Sequence, residues 1–334
     1  MNSGFLKRAF RLDQQKLVGI LVVVLFLVFT WIQPAFSSMY SIQNILSYAG
    51  MYGIASLGMT LAILTGGTDL SAGSNMALAG IVGAGLLGNA IGAANPVKLP
   101  VAVAMAAAIL LSAGIGAVNG LCITKLKIAP FVATLAMMSI ARGLLYVIAD
   151  AVVQGVSGSP ITFMNSDFSR LGQGKIGKIP IQFILYIALF ALLYVILRHT
   201  RFGRNIYAVG GNPEIARLAG VRTHRIIIAC YAISGALIGI SGIILAGRLS
   251  SASTVAATGY ELDFITAVAL GGTAMAGGKG GVVGTLVGTL FLAVLNNGLD
   301  MSGVPSFYQY LIKGAILVLA VYTDSALKKH REGT

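Results

Sequence analysis

Uninterrupted apolar runs constrain this chain more than any other feature. Residues 17–32 and 99–124 contain no charged side chain. About 17–25 apolar residues suffice to carry a helix across the hydrocarbon core of a bilayer. Only 10% of the chain is charged, against roughly 25% in soluble domains. Mean hydropathy is +0.87. A soluble enzyme, a nucleic-acid-binding domain and a disordered chain are excluded. A β-barrel is disfavoured, because barrel strands alternate apolar and polar in segments of about ten residues. The expected fold is an all-α polytopic bundle of transmembrane helices.

The apolar pattern predicts about ten spans, near 17–33, 45–65, 74–92, 99–123, 130–149, 180–197, 226–247, 262–276, 281–298 and 305–323. The third, eighth and ninth are rich in Gly and Ala, as short, tilted or broken helices are. Lys7, Arg8, Arg11 and Lys16 precede the first run in the manner of a signal peptide. Ala35-Phe36-Ser37 is a poor cleavage site, so the run is expected to remain as the first span.

Charge orients the bundle. With the N-terminus inside, the inner segments hold those four cations, then Lys125, Lys127 and Lys279. They also hold Arg198, Arg201, Arg204, Arg217, Arg222 and Arg225, and the tail adds Lys328, Lys329 and Arg331. The outer segments hold only Lys98, Arg170, Lys175, Lys178 and Arg248. That bias of 16 to five follows the rule that cytoplasmic loops collect Lys and Arg. It predicts both termini inside and an even number of spans. The net charge of +13 is therefore a topology signal, and no nucleic-acid partner is expected. The organisation is one transmembrane domain over 1–334, with an external loop at 150–179 and a cytoplasmic loop at 198–225. No segment could be a soluble catalytic domain, and no P-loop, metal-ligand cluster or nucleophile–base pair is evident. Cys122 and Cys230 lie in apolar runs and read as packing residues.

The cytoplasmic loop contains a complete short helix. Asn212 suits the N-cap, Pro213 the first helical position and Glu214 the positive end of the helix dipole. Ala216 and Arg217 continue it, and Gly220 suits a left-handed C-terminal position. Ile215, Leu218 and Ala219 share one face. About two turns of helix are marginal alone in water, so this one needs a surface. Membrane lipid beneath the arginines is one such surface; a cytoplasmic protein is the other.

A fainter feature is an internal echo. Gly66-Gly67-Thr68 and Gly271-Gly272-Thr273 each follow an apolar run. Duplicated transporter halves produce such echoes, and so does chance in a chain with 43 glycines. Gly280, Gly284 and Gly288, and Gly235 with Gly239, form small-residue ridges suited to close helix packing in lipid.

Several of these motifs resemble a known family. Thr65-Gly66-Gly67-Thr68-Asp69-Leu70-Ser71-Ala72-Gly73 is similar to a signature of the monosaccharide permeases of bacterial ATP-binding-cassette (ABC) importers, departing at Thr68. Ala208 through Gly220 resembles the ATPase-coupling loop of that family. Gly259-Tyr260-Glu261-Leu262-Asp263 through Gly280 resembles a third signature and Asn296-Asn297-Gly298-Leu299 a fourth. The resemblance runs in order from about residue 17 to 325 and favours ribose; other monosaccharides stay open. It implies a type II-like importer core in the inner membrane, with two permease chains, expected as a homodimer, forming the pore. A separate cytoplasmic ABC ATPase would bind ATP and Mg, leaving this chain without a cofactor. An extracytoplasmic sugar-binding protein would dock outside. Residues 212–220 would be the coupling helix.

Charged and polar residues in or near the spans supply the remaining candidates. Asp69 is a gate or an N-cap of the third span. Asn296 and Asn297 can bond across helices or line a path. Arg142 and Lys313 fall within spans, where a charge faces protein or water; Lys313 either pairs structurally or serves translocation. Glu261 and Asp263 are candidate docking acids for the binding protein. An ion-coupled secondary transporter is the competing class. It often uses acids near the bilayer midplane, whereas all ten acids here fall in loops or near span ends.

Overall fold

The computed structural model describes residues 14–87, 98–152, 160–163 and 165–332. Lys7, Arg8 and Arg11, the far end of the third expected span and part of the 150–179 loop lie outside those residues. Helix α1 (Gln14–Ile32) and a 3-10 turn at Pro34–Ser37 lead into α2 (Met39–Leu64), whose first turn is capped by the Ser38 hydroxyl. Then follow α3 (Ala72–Leu86), α4 (Val101–Thr124) and α5 (Pro130–Val152), which starts on a proline as helices tolerate. A small mixed structure comes next: strand β1 (Ile161–Thr162), helix α6 (Ser166–Gln173), and the hairpin of β2 (Lys175–Ile176) and β3 (Ile179–Pro180). Helices α7 (Ile181–His199), α8 (Arg201–Gly211), α9 (Pro213–Leu218) and α10 (Thr223–Leu249) follow, the last leading to β4 (Ser251–Ala252), which pairs with β1. The chain closes with α11 (Tyr260–Leu270), α12 (Val282–Met301) and α13 (Ser306–Glu332).

Seven of these helices (α1, α2, α4, α5, α7, α10 and α12) are long and apolar enough to cross a membrane. The third, eighth and tenth expected spans correspond to shorter apolar pieces. α3 has 15 residues and α11 has 11; at 1.5 Å per residue, α11 reaches about halfway across a bilayer core. The eighth span was expected to run to residue 276, but α11 stops at Leu270. The Gly271-Gly272 pair closes it, with Gly272 at φ +83°, a conformation that costs glycine nothing.

The internal echo is real as geometry, shifted by one residue. Gly66 ends α2 at φ +84° and Gly272 ends α11 at φ +83°. In each case the next amide reaches back five residues at 3.2 Å: Gly67 to Ala62 and Thr273 to Val268. Both are the glycine-closed Schellman turn that satisfies the last helical carbonyls. The structural match is Gly66 with Gly272, not with Gly271.

α10 runs through the middle of the bundle, packed on α2, α3, α4 and α6. Its closest neighbour is α4. A Cβ on Gly116 would meet the Tyr231 carbonyl, and one on Gly235 would meet the Ser112 carbonyl. Between helices in lipid, such backbone proximity and dispersion contacts replace the hydrophobic driving force available in water. The ridge expected from Gly280 is shorter than its spacing suggested. Gly284 and Gly288 do face the carbonyls of Gly271 and Ala267, but Gly280 lies before α12 in a loop at φ +107°. α2 is buried along most of its length, whereas α1 leaves most of its surface open, including Val23, Leu27 and Trp31. Cys230 is buried and Cys122 half-buried, both unbridged.

The two expected loops are more ordered than composition implied. In the 150–179 loop, Phe168 of α6 is fully buried and its ring lies 3.2 Å from where a Cβ on Gly83 would stand, while the Gln173 amide bonds the Gly247 and Arg248 carbonyls at 3.2 and 3.1 Å. This loop thus caps the end of α10. In the second loop, residues 198–225 are almost wholly helical, with α8 added to the one short helix expected.

Replacing Gly235 by leucine should lower stability by about 3 kcal/mol or prevent insertion, because backbone blocks the new side chain. Gly143→Ala, at a site open to 4 Å, should be neutral. Thermal unfolding midpoints of the purified protein in detergent compare the two.

Candidate functional site

The first site is the surface formed by α8 and α9. Asn212 caps α9 as expected: its side-chain oxygen accepts from the Glu214 and Ile215 amides, both at 3.0 Å. Glu214 pairs with Arg217 at 2.9 Å across one exposed turn, and Gly220 takes φ +85°. Ala216 faces the protein. Ile215 and Leu218 face out, 64% and 80% exposed, with Ala219 exposed beside them. This helix buries almost none of its apolar face within its own chain. Immediately before it, three backbone segments converge. The Gly278 amide donates to the Leu64 carbonyl at 3.0 Å, and a Cβ on Gly210 would overlap both groups. Tyr207 adds a hydroxyl bond to the Gly280 carbonyl at 3.0 Å.

Asp69 lies in the turn between α2 and α3 and has no exposed surface. One carboxylate oxygen accepts from the Ser71 amide at 3.0 Å and from its hydroxyl at 2.5 Å. The Asn119 amide reaches the same oxygen at 3.4 Å and the Ser71 hydroxyl at 2.9 Å. Ser71, not Asp69, occupies the N-cap position of α3. Asp69 therefore braces the turn one step before the helix, bonding its own backbone two residues on, as Asp does in turns.

The second site is a cavity of about 150 Å³ between α2, α11, α12 and α13. Its aromatic wall comprises Tyr48, Tyr52, Tyr260 and Tyr310. The rings of Tyr52 and Tyr260 lie 4.9 Å apart, and those of Tyr48 and Tyr52 5.9 Å. Lys313 projects into it and pairs with Asp263 at 2.9 Å, with side chains only 16% and 6% exposed. Asn296 lines the same space, its carbonyl oxygen buried and without a hydrogen-bond partner. At the edge, Asp300 accepts from Gln309 at 2.9 Å and from the Tyr48 hydroxyl at 3.2 Å. The Arg248 guanidinium stands 4.4 Å above the Tyr48 ring.

Of the candidate path residues, the fold brings Asn296 and Lys313 together and leaves the other two elsewhere. Asp69 is not in the cavity, and Asn297 ties α12 to α2 through the Ser41 hydroxyl at 2.8 Å. Asp263, a candidate docking acid, is buried against Lys313. Glu261 is likewise no free surface acid: it is half-buried, its carboxylate fills the space beside Gly73, and it stands in the field of Arg142. Arg142 in turn donates to the Thr254 and Ala256 carbonyls at 2.8 and 3.2 Å, anchoring the loop before α11. The cavity tyrosines, Asp300 and Gln309 were not singled out by the sequence. The one signal was Tyr48 and Tyr52, one helical turn apart among small and aliphatic residues. Among the described residues, no three His, Cys, Asp or Glu side chains gather as metal ligands.

Comparison with known proteins places these features. Residues 41–321 match the family model described as "Branched-chain amino acid transport system / permease component". The chain is 41% identical to the ribose import permease of Escherichia coli K12, over 96% of both chains. It is 40% identical to the ribose import permease of Bacillus subtilis 168, over 90% of this chain and 89% of the relative. It is 38% identical to the galactose/methyl galactoside import permease of Escherichia coli K12, over 97% and 98%. No solved structure gives a significant match.

The buried ion pair sets a stability test. Lys313→Met leaves the Asp263 carboxylate unpaired and should cost about 3 kcal/mol or more. Adding Asp263→Leu should recover most of that loss. A double mutant that melts no higher in detergent than Lys313→Met alone would refute the pairing.

Proposed function

This chain belongs to the permease-component family of branched-chain amino acid transport systems, and on that premise we propose that it is the membrane permease of an ATP-driven sugar importer. The family label covers amino-acid systems, but the relatives named for ribose and galactose match at 38–41% identity over nearly their whole length. Ribose is the favoured solute, with related monosaccharides next. The bundle is read as a ten-span, type II-like core, counting α3, α11 and α13 with the seven longer helices. It sits in the inner membrane with both termini cytoplasmic, α1 and α5 facing lipid, and a second copy completing the pore. A sugar-binding protein delivers the solute from outside.

The observation that carries the coupling role is the exposed apolar face of α9. A short helix capped at its N-terminus, with Ile215 and Leu218 turned to solvent, is made to enter a groove on another protein. That protein is the ATPase, which holds ATP and Mg and performs the hydrolysis; this chain is the transport subunit and supplies no catalytic group. Residues 212–220 form the contact. The Leu64–Gly278 bond and the close approach of Gly210 tie that contact to α2 and to the loop after α11, so force on α9 has a packed backbone route into the bundle.

Two measurements test this reading. Ile215→Asp or Leu218→Asp should weaken copurification of the ATPase and reduce sugar uptake about tenfold or more while the permease stays folded; full uptake by either variant rejects the coupling helix. Proteoliposomes carrying the complete importer should accumulate labelled ribose or galactose with ATP. Accumulation of leucine in their place would reassign the solute class.

A further inference from the structure

The cavity between α2, α11, α12 and α13 has the chemistry of a binding station within the permease itself, separate from any soluble binding protein. We propose that it holds one uncharged polyhydroxylated ring during passage. The inference rests on the importer reading above and assigns a substrate subsite to residues of this chain.

Three observations carry it. The first is size: about 150 Å³, the order of volume that accommodates a single six-membered ring. The second is the wall. The rings of Tyr52 and Tyr260 pack together with centroids 4.9 Å apart as part of an aromatic wall, and the flat carbon–hydrogen faces of a sugar ring pack on aromatic faces while its hydroxyls point sideways. Around those faces stand hydrogen-bonding groups of both kinds. Lys313 and Gln309 donate, the hydroxyls of Tyr310 and Ser306 donate or accept, and Asn296 accepts. The Asn296 carbonyl oxygen is buried with no partner in the protein, and residue exposure there is only 4%. A buried polar atom left unpaired is costly, and a solute hydroxyl would satisfy it.

The third observation is charge. Asp263 is matched by Lys313 at 2.9 Å. Asp300 is hydrogen-bonded to the Tyr48 hydroxyl and Arg248 stands over the Tyr48 ring. Two acids are matched by two bases, so the site carries no formal net charge to attract a cation or an anion. A zwitterionic amino acid would need to break the Asp263–Lys313 pair to find its own partners, whereas hydroxyls can join the pair without disrupting it. Ser306 and Tyr310 are exposed at the edge of the cavity, on the side proposed to face outward, and Tyr48 stands beneath Arg248 there.

The test uses the detergent-solubilised permease–ATPase complex without the sugar-binding protein. A Ser306→Cys reporter is alkylated with a membrane-impermeant maleimide, alone and in the presence of ribose, galactose, leucine, choline or inorganic phosphate. Cys122→Ala removes the competing half-buried thiol. Ribose or galactose should slow labelling several-fold, and the other probes should not. Asn296→Leu, added to the reporter, should raise the sugar concentration giving half-protection by about tenfold, as expected for one lost buried hydrogen-bond partner. Asn296→Gln should retain part of the protection. An unchanged labelling rate without sugar, together with retained ATPase copurification, certifies that each variant is folded. Labelling unaffected by both sugars, protection by leucine, choline or phosphate, or protection indifferent to Asn296→Leu would each overturn the proposal. ATP-dependent sugar uptake by proteoliposomes of the complete importer, with the sugar-binding protein added, separates the two readings. Uptake without protection defeats the subsite alone, and absence of uptake by the complete wild-type importer defeats the function it rests on.

Discussion

The hydrogen bond from the Gly278 amide to the Leu64 carbonyl, at 3.0 Å, is the contact on which the rest of the arrangement turns. Buried backbone polar groups need partners in protein or water. The irregular segments after α2 and after α11 supply them to one another. The contact needs glycine at Gly66, Gly210, Gly277 and Gly278, because a Cβ at the last three would strike neighbouring backbone and three of the four lie at positive φ. Without it, both broken segments would carry unsatisfied groups, and α8–α9 would have nothing rigid to lean on.

That seam and the polar cavity are opposite ends of one helix. α2 carries Tyr48 and Tyr52 into the cavity and Leu64 into the seam, a separation of about 18 Å from Tyr52 to Leu64 at helical rise. The helix between them is held on several sides. Gly50 and Gly53 lie against α7, at the Gln182 backbone and the Tyr186 ring, and Gly58 lies against Ser234 of α10. Inside, the Thr60 and Thr285 hydroxyls meet at 2.6 Å. A closely packed helix moves as a body, so a displacement at the inner seam has a direct mechanical path to the aromatic wall. Burial of Asp69 fits the same logic. Its carboxylate organises the turn that separates α2 from α3, and it is the turn, rather than the charge, that the path requires.

Much of this was legible in the residues. The α9 helix was readable in full from Asn212, Pro213, Glu214 and Gly220, because capping chemistry is local and independent of the surrounding fold. The placement of Arg142 against protein followed from the cost of charge in a bilayer, which for Lys313 left a structural pair and a translocation role both open. What the residues did not disclose is who faces whom. Asp263 and Glu261 looked like outer-surface acids because they sit in the first turn of α11. Nothing local announces that Lys313, fifty residues on, arrives beside Asp263, or that Arg142 lies near Glu261. The short α3 and α11 were suspected from glycine content, but the stop at Leu270 was set by a Schellman turn whose glycine could as easily have been Gly271.

The sequence by itself determined that this protein lives in a bilayer, how unevenly its charged loops are distributed, and where a capped helix lies along the chain. Those properties come from hydropathy, charge asymmetry and backbone preference, which act over a few residues or over the whole composition. Only the tertiary structure decided that four tyrosines, a buried asparagine and an ion pair from four separate helices enclose one cavity. It also decided that three glycine-bearing segments, at residues 64–67, 210–211 and 276–281, share one contact. Both depend on helix rotation and close backbone approach between distant segments, and neither leaves a period or a motif along the chain.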